Sequence, residues 1–216
     1  MRVLALDGAL GDFTVAVYEG GTVRSRASRP PQRALEEGLS AVAEALSDAT
    51  LDGPALERIA VGIGPGSFTG LRIAVSYAKS LATAWRVPLS GISLFDALDF
   101  NVDRHPRLTV VSARRGVVSV RYTDGGPSWR ASGQSSAVLD DLLRRVDGTP
   151  FWVVNAPEDV LGALAERVEF VRTAQSPTPP VAAIAAIATQ RAPAASPHEV
   201  RADYGELLPA RPPAPR

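Results

Sequence analysis

The 216-residue sequence predicts an α/β fold built from two successive subdomains. Short strands separated by glycine turns open the chain, and an amphipathic helix and a buried strand–glycine loop–helix segment follow. After a polar stretch at residues 101–107, a shorter version of the same order of elements begins again. We therefore expect one subdomain over residues 1–100, a smaller one over 101–192, and a proline-rich tail over 193–216.

The first subdomain opens with three predicted strands, at Val3 to Leu6, Phe13 to Tyr18 and Thr22 to Ala27. Residues 8–12 and 19–21 separate these strands, and both segments contain the glycines that tight turns require. Strands joined by such short turns pair antiparallel. The chain is therefore predicted to begin with an antiparallel meander.

A helix is predicted after the meander, because apolar side chains recur at spacings of four, three and four residues. They are Leu35, Leu39, Val42 and Leu46. This periodicity places them on one face of a helix, and we expect that face to be buried in the core. A β-branched run from Ile59 to Ile63 then predicts a buried strand.

A glycine-rich loop follows that strand and leads into a long apolar helix, predicted over Leu71–Trp85. The loop reads Gly64-Pro65-Gly66-Ser67-Phe68-Thr69-Gly70. Its glycines permit close backbone approach, and Ser67 and Thr69 supply oxygens that can cap the helix. A strand at Val87 to Ile92 and a short helix at Leu94 to Phe100 complete the first subdomain.

The second subdomain is predicted to repeat this order of elements. The elements are strands Leu108–Ser112 and Val117–Tyr122 with a hairpin at Arg114-Arg115-Gly116, a Gly/Pro/Ser-rich loop, helix Ser136–Val146, strand Phe151–Asn155, helix Pro157–Arg167, strand Val168–Arg172 and helix Pro180–Arg191. From Pro193 onward, six of 24 residues are proline. We expect this tail to be an exposed or partner-bound extension without regular structure.

The composition excludes several classes of function. Lys plus Arg equal Asp plus Glu at 23 each, so no overall charge attracts nucleic acid or an anionic membrane. The absence of cysteine excludes disulfides, thiolate zinc sites and cysteine nucleophiles. The opening run reaches Asp7 too early for a signal peptide, and no apolar run approaches the roughly 20 residues of a membrane span. The expectation is a soluble, cytoplasmic protein.

The glycine loop fits phosphate-binding templates poorly. A Walker A loop needs a lysine, which this loop lacks, and in a G-x-G-x-x-G fingerprint the third glycine comes one position late, at Gly70. A nucleotide site remains as a weaker hypothesis, because a carboxylate at the end of a strand can hold hydrated Mg²⁺. Its candidate residues are Asp7, Gly8, Gly64, Gly66 and Ser67. The alternative is a tight turn that brings the following helix close to its neighbours.

The helix after the loop is apolar on nearly every side. One stripe consists of Leu71, Val75, Ala78, Ala82 and Trp85. A helix that is apolar all round is buried all round, so one side is expected to cover its own sheet and the other a partner chain. The alternative is that the second subdomain covers the second side.

No catalytic or metal-binding constellation emerges from the sequence. The two histidines, His105 and His198, are far apart and lie in a polar linker and in the tail. Nucleophilic triads and metal sites of the common kinds are therefore not predicted, and a protease finds no support. We therefore predict no catalytic residues and no metal ligands.

The segment from Ile59 to Ile73 resembles the signature of the bacterial TsaB (YeaZ-like) family. The opening strand with Asp7, the segment Val87 to Ser93 and the hairpin from Ser112 to Val118 are similar to the family more thinly. This family comprises the dimerisation subunits of the machinery that makes N6-threonylcarbamoyladenosine at position 37 of tRNA. The resemblance covers roughly the first 125 residues.

The resemblance implies an actin-like (ASKHA) fold with two subdomains, each a five-stranded mixed sheet with helices. It also implies a non-catalytic scaffold that binds the catalytic subunit TsaD, or a second copy of itself when TsaD is absent. A TsaE-type ATPase joins the complex, tRNA is reached only through the complex, and ATP or ADP with Mg²⁺ can lie at a subunit interface. The implied interface residues are Gly64, Pro65, Gly66, Ser67, Phe68, Thr69, Gly70, Leu71, Arg72, Val75, Ala78 and Ala82.

Three departures from the family pattern lie at would-be nucleotide contacts. Gly8 replaces a hydroxyl residue, Pro30 to Arg33 lack a histidine, and Ser112 replaces an aspartate. These changes favour the scaffold hypothesis. The alternative hypothesis is an actin-like-fold ATPase or kinase that binds Mg-nucleotide through Asp7 and the Gly64–Gly70 loop.

Overall fold

The computed structural model describes residues 1–168 and 171–205, which form two five-stranded sheets. The first sheet has the order β3-β2-β1-β4-β5. Its strands are β1 (Arg2–Asp7), β2 (Phe13–Glu19), β3 (Thr22–Arg29), β4 (Arg58–Gly64) and β5 (Leu89–Ser93). The helices of this half are α1 (Ala34–Asp48), α2 (Phe68–Trp85) and α3 (Leu94–Leu98).

The second sheet repeats the topology of the first, with the order β10-β9-β6-β7-β8. Its strands are β6 (Arg107–Arg114), β7 (Val117–Thr123), β8 (Trp129–Gln134), β9 (Trp152–Val154) and β10 (Arg172–Ala174). The helices are α4 (Ser135–Val146), α5 (Glu158–Ala165) and α6 (Pro180–Gln190). In each sheet an antiparallel meander is extended by two parallel strands. The predicted α/β class with two mixed sheets is confirmed.

Helix α1 packs on the first sheet through a face that overlaps only in part with the one predicted. Its buried residues are Ala34, Gly38, Ala41, Val42, Ala45 and Leu46. Of the predicted apolar stripe, only Val42 and Leu46 are buried, whereas Leu35 and Leu39 are 67% and 50% exposed. The prediction for these two leucines was wrong because small residues, not leucines, bring α1 close to the sheet.

Two strands of the second sheet differ from the prediction. Strand β8 occupies the segment predicted as a loop, and it pairs with β7 from Val117 opposite Gln134 to Tyr122 opposite Trp129. Its side chains are mostly half-buried, so it lacks the apolar alternation that marks a strand in a sequence. The strand predicted at Val168–Arg172 includes residues 169 and 170, which lie outside the described residues, and β10 begins only at Arg172.

Helix α6 returns to the first sheet, although the sequence places it in the second half. Residues from Val181 to Ala188 are all buried, and they join a core that contains Val3 and Ala5 of β1. The same core includes Val154 of the second sheet. A helix rich in alanine lets the sheet approach closely, so α6 joins the two sheets into one packed body.

The tail is packed against the first sheet as far as the structure describes it. The backbone N–H of Ala194 donates to the carbonyl of Leu89 at 2.9 Å, and that of Asp203 donates to Ile63 at 2.6 Å. Val200 is buried in the first core. The expectation of an exposed or partner-bound extension is wrong for residues 193–205, and residues 206–216 lie outside the described residues.

We expect Val200→Asp to destabilise the protein by about 2–4 kcal/mol, because it buries an unpaired carboxylate beneath the tail. For a domain of this size, that loss lowers Tm by roughly 5–15 °C. Thermal unfolding followed by circular dichroism measures the change. Arg201→Asp, at an exposed neighbouring position, serves as the control. An equal effect of both variants would mean that the tail is not packed.

Candidate functional site

The glycine loop connects β4 to α2 by a sharp turn. The Gly64–Pro65 peptide is cis, and Gly64 has a φ of 102°, which favours glycine. Ser67 is the N-cap of α2, and its side chain accepts a hydrogen bond from Gly70 N at 3.3 Å. Helix α2 therefore begins at Phe68, three residues before the predicted start, and Thr69 lies in its first turn.

The chain's own backbone fills the space around this loop. A Cβ at Gly70 would fall 1.9 Å from the carbonyl oxygen of Gly8, and one at Gly66 would fall 2.5 Å from that of Ala9. The N–H of Ser67 donates to Ala9 O at 2.8 Å. The β1–β2 turn thus occupies the place that a phosphate would need, so the loop serves close backbone packing.

Asp7 lies in a cleft at the carboxyl end of β1, just before the turn that packs against the glycine loop. The cleft has a volume of about 580 Å³. It is lined by Asp7, Leu10, Gly11, Asp12, Thr14, Arg26, Ser28 and by Pro179, Pro180 and Val181 at the start of α6. Gly64, Gly66 and Ser67 are not among the lining residues. The glycine loop therefore does not line the Asp7 cleft, although Gly8, the next residue, packs against Gly70.

The Asp7 carboxyl group is only 4% exposed, and burial raises its pKa from 3.8 to about 6. Hydrogen bonds from the backbone N–H groups of Ala9 and Gly8 favour the charged form but do not outweigh burial. Such a carboxyl group binds a proton more tightly in the folded than in the unfolded state. A perturbed pKa within a cleft is a common property of binding sites.

We expect stability to fall as pH rises from about 4 to about 6, because the folded state must then give up the Asp7 proton. The difference between the two pKa values corresponds to about 3 kcal/mol. In Asp7→Asn this part of the pH dependence should disappear, and stability at pH 7 should increase. Urea unfolding of both proteins between pH 4 and 8 measures it. Parallel pH profiles would contradict the burial of a titrating Asp7.

The predicted partner stripe of α2 lies in the chain's own core. Leu71 and Ala78 are fully buried, Ala82 is 2% exposed and Val75 is 7% exposed. They therefore offer no surface to a partner, and the prediction that this stripe forms the interface is corrected. A charge at Val75 or Ala78 would unfold the chain rather than test an interface.

The first turn of α2 holds the tail. The Arg72 guanidinium carbon lies 3.8 Å from the centre of the Phe68 ring, whose centre is 4.8 Å from that of Tyr204. Arg72 Nε also donates to Tyr204 Oη at 3.3 Å. Phe68 remains 42% exposed at the edge of this stack. Of the predicted interface residues, Phe68, Thr69 and Arg72 thus stay on the surface.

An apolar surface lies where α1 and α2 meet, and we call it the two-helix face: Leu35, Leu39, Tyr77 and Leu81. Leu35 and Leu39 are exposed, and Tyr77 and Leu81 are half-buried. Tyr77 Oη donates to the carbonyl of Leu35 at 2.6 Å. Each helix contributes two side chains one turn apart, and the contacts of Tyr77 with Leu35 and Gly38 bring the two helices together at this face.

The two leucines of this face form part of an apolar stripe in the sequence, and such a stripe predicts a buried face. Leu35 and Leu39 belong to a helical stripe, and a stripe of leucines usually faces a core. The overlooked signal was the second stripe of α1, which contains Gly38 and alanines. A Cβ at Gly38 would fall 2.5 Å from the Tyr77 ring, so only glycine permits this contact between α1 and α2.

The described residues contain no cluster of three or more His, Cys, Asp or Glu side chains placed to hold a metal. His105 and His198 are both exposed, and His105 lies beside Arg107. Across the described ranges, we find no helix with the length and apolar character needed to span a bilayer.

Comparison with known proteins identifies relatives of this architecture. The family model described as "TsaD: tRNA N6-adenosine threonylcarbamoyltransferase" matches residues 13–150. The tRNA threonylcarbamoyladenosine biosynthesis protein TsaB of Escherichia coli is 34% identical over 93 residues, which cover 43% of this chain. The match spans only 40% of the length of that relative.

Two further comparisons extend over nearly the whole chain. TsaB of Bacillus subtilis is 27% identical over 222 residues, covering 96% of this chain and 95% of the relative. The structure of YeaZ from Pseudomonas aeruginosa matches with a TM-score of 0.70 at 21% identity, covering 94% of this chain and 99% of that one. At this identity the structural match shows the fold, and the predicted actin-like fold is confirmed.

Proposed function

This chain belongs to the TsaD family and within it is TsaB-like, and we propose that it is a non-catalytic subunit of a tRNA threonylcarbamoyladenosine-forming complex. Its role there is to bind and support a TsaD-type catalytic subunit through the two-helix face. The names of the TsaB relatives support a role in tRNA threonylcarbamoyladenosine biosynthesis. The exposed leucines support binding through the two-helix face.

The observation that carries this proposal is the exposure of Leu35 and Leu39 beside Tyr77 and Leu81. Burying a leucine side chain contributes about 1.5–3 kcal/mol, so a partner that covers both leucines would gain affinity from them. The two helices are held in place by the Tyr77–Leu35 hydrogen bond and by the close contact at Gly38. The face is thus rigid before binding, which lowers the entropic cost of association.

The rest of the assembly follows from the same proposal. A TsaE-type ATPase joins the complex, and tRNA is reached through the complex rather than by this chain alone. Without the catalytic subunit, the two-helix face pairs with a second copy of the chain. We place this assembly in the cytoplasm.

Titration calorimetry against a purified TsaD-type subunit, with light scattering of the mixture, tests the proposal. We expect a one-to-one complex whose formation does not require tRNA. A chain that stays monomeric and gives no heat with the TsaD-type subunit, with or without Mg-ATP, would overturn it.

A second candidate is an actin-like-fold enzyme that binds Mg-ATP or Mg-ADP at Asp7. The cleft and the raised pKa of Asp7 favour some ligand there, although the glycine loop is filled by the β1–β2 turn. Calorimetry of the isolated chain with Mg-ATP, and of Asp7→Asn as the control, separates the candidates. Mg-ATP binding that is lost in Asp7→Asn would support the enzyme hypothesis. If the unmodified chain gives no heat with Mg-ATP, the enzyme hypothesis is wrong.

A further inference from the structure

The seam between the two sheets contains a network of buried charges. Asp96 lies on α3 and Asp99 directly follows it, at the end of the first half of the chain. Arg121 comes from β7 of the second sheet, and its guanidinium reaches both carboxylates. One nitrogen donates to Asp96 at 2.5 Å and another donates to Asp99 at 2.6 Å.

Further groups from β6 and from the residue after α6 complete the network. Arg107 of β6 places its Nε 3.0 Å from Asp99 Oδ2, and the Thr109 hydroxyl donates to Asp99 Oδ1. Arg191, which follows α6, donates to Asp96 at 2.8 Å. The network therefore connects α3, strands β6 and β7 of the second sheet, and the end of the helix that covers the first sheet.

These pairs are shielded from solvent. The side chains of Asp99 and Arg121 are 5% and 11% exposed. Burial alone would raise the pKa of Asp96, but hydrogen bonds from Arg121 and Arg191 outweigh it and hold that pKa below its ordinary value. Shielded charge pairs fix geometry more strongly than surface pairs do, because water does not compete for their directional hydrogen bonds.

An apolar contact crosses the same seam. Val111 of β6 and Val154 of β9 are essentially fully buried, in one cluster with Leu98 of α3 and Ile184 of α6. The tail crosses as well: a Cβ at Gly205 would fall 2.3 Å from the Ser119 hydroxyl of β7 and 3.1 Å from Pro65. Separating the sheets would expose this core and break the ion pairs together.

We propose that the Asp96/Asp99–Arg121 network, with the shared apolar seam, locks the two sheets in one fixed orientation. The lock makes the chain a rigid support rather than a hinged, nucleotide-driven switch. This inference is independent of which partner binds the two-helix face.

The absence of cysteine allows a direct test, because two labels can be introduced without background. Ser47→Cys on α1 and Ala137→Cys on α4 are exposed positions in the two halves. Single-molecule FRET between them, at picomolar concentration so that copies do not pair, reports the distance between the halves. We expect one narrow distribution that saturating Mg-ATP leaves unmoved.

Two variants test the lock itself. Arg121→Met and Asp96→Asn should broaden the distribution to about twice its width, because alternative orientations become populated. Arg115→Met, at an exposed position of the β6–β7 hairpin, is the matched control and should leave it unchanged. If Arg121→Met fails to fold, Asp96→Asn decides, since its side chain is 22% exposed. A wild-type distribution that is broad or shifts with Mg-ATP, or variants as narrow as wild type, would overturn the proposal.

Discussion

The double variant Leu35→Glu/Leu39→Glu should bind a TsaD-type subunit at least about 100-fold more weakly than the unmodified chain, which corresponds to about 2.7 kcal/mol. Both leucines lie on the two-helix face, so each glutamate would bring an unpaired charge into a desolvated contact. Calorimetry against the purified subunit measures the loss. The same variant should be monomeric by light scattering.

The double variant should remain folded, and this makes it a clean test. Exposed substitutions usually change stability by less than about 0.5 kcal/mol, and glutamate matches leucine closely in helix propensity. Ser40→Glu adds a negative charge next to Leu39 on the side of α1 that approaches Arg29. This control should bind normally. If the double variant bound as tightly as Ser40→Glu, the two-helix face would not be the interface.

The sequence alone predicted most of the fold, because its signals there are local. Alternating and β-branched runs marked β1, β2 and β4, and glycine turns fixed the meander. Strand β8 was not predicted because it is a half-buried edge strand in which most residues are polar or small. Its position depends on pairing with β7, which is a non-local property.

The candidate site was harder to predict than the fold, because exposure is decided by neighbours distant in sequence. Leu39 and Ala78 each belong to a regular apolar stripe, yet the first is 50% exposed and the second is fully buried. The difference arises because Ala78 faces the first core, which the tail residue Val200 helps to close, whereas Leu39 faces away from that core. A sequence stripe identifies a helix face, but it does not identify what covers that face.

Gly70→Ala should destabilise the protein by about 3 kcal/mol and lower Tm by roughly 10 °C. Helix propensity by itself favours alanine over glycine by up to about 1 kcal/mol, so the expected sign depends on packing. The added Cβ would fall 1.9 Å from the Gly8 carbonyl oxygen, which is backbone and cannot rotate away. Either the β1–β2 turn or the start of α2 must move. Urea unfolding of the variant measures the loss.

Gly162→Ala in helix α5 is the matched control, because in the described part of the chain no atom lies within 4 Å of the Cβ position there. Only helix propensity then affects stability, and the free energy of unfolding of this variant should rise by about 0.5–1 kcal/mol. The opposite signs of the two substitutions separate packing from propensity. If Gly70→Ala were also stabilising, the β1–β2 turn would not pack against the loop. The space beside Gly64 to Gly70 would then be open to a phosphate, and this loop would again be a candidate part of a nucleotide site.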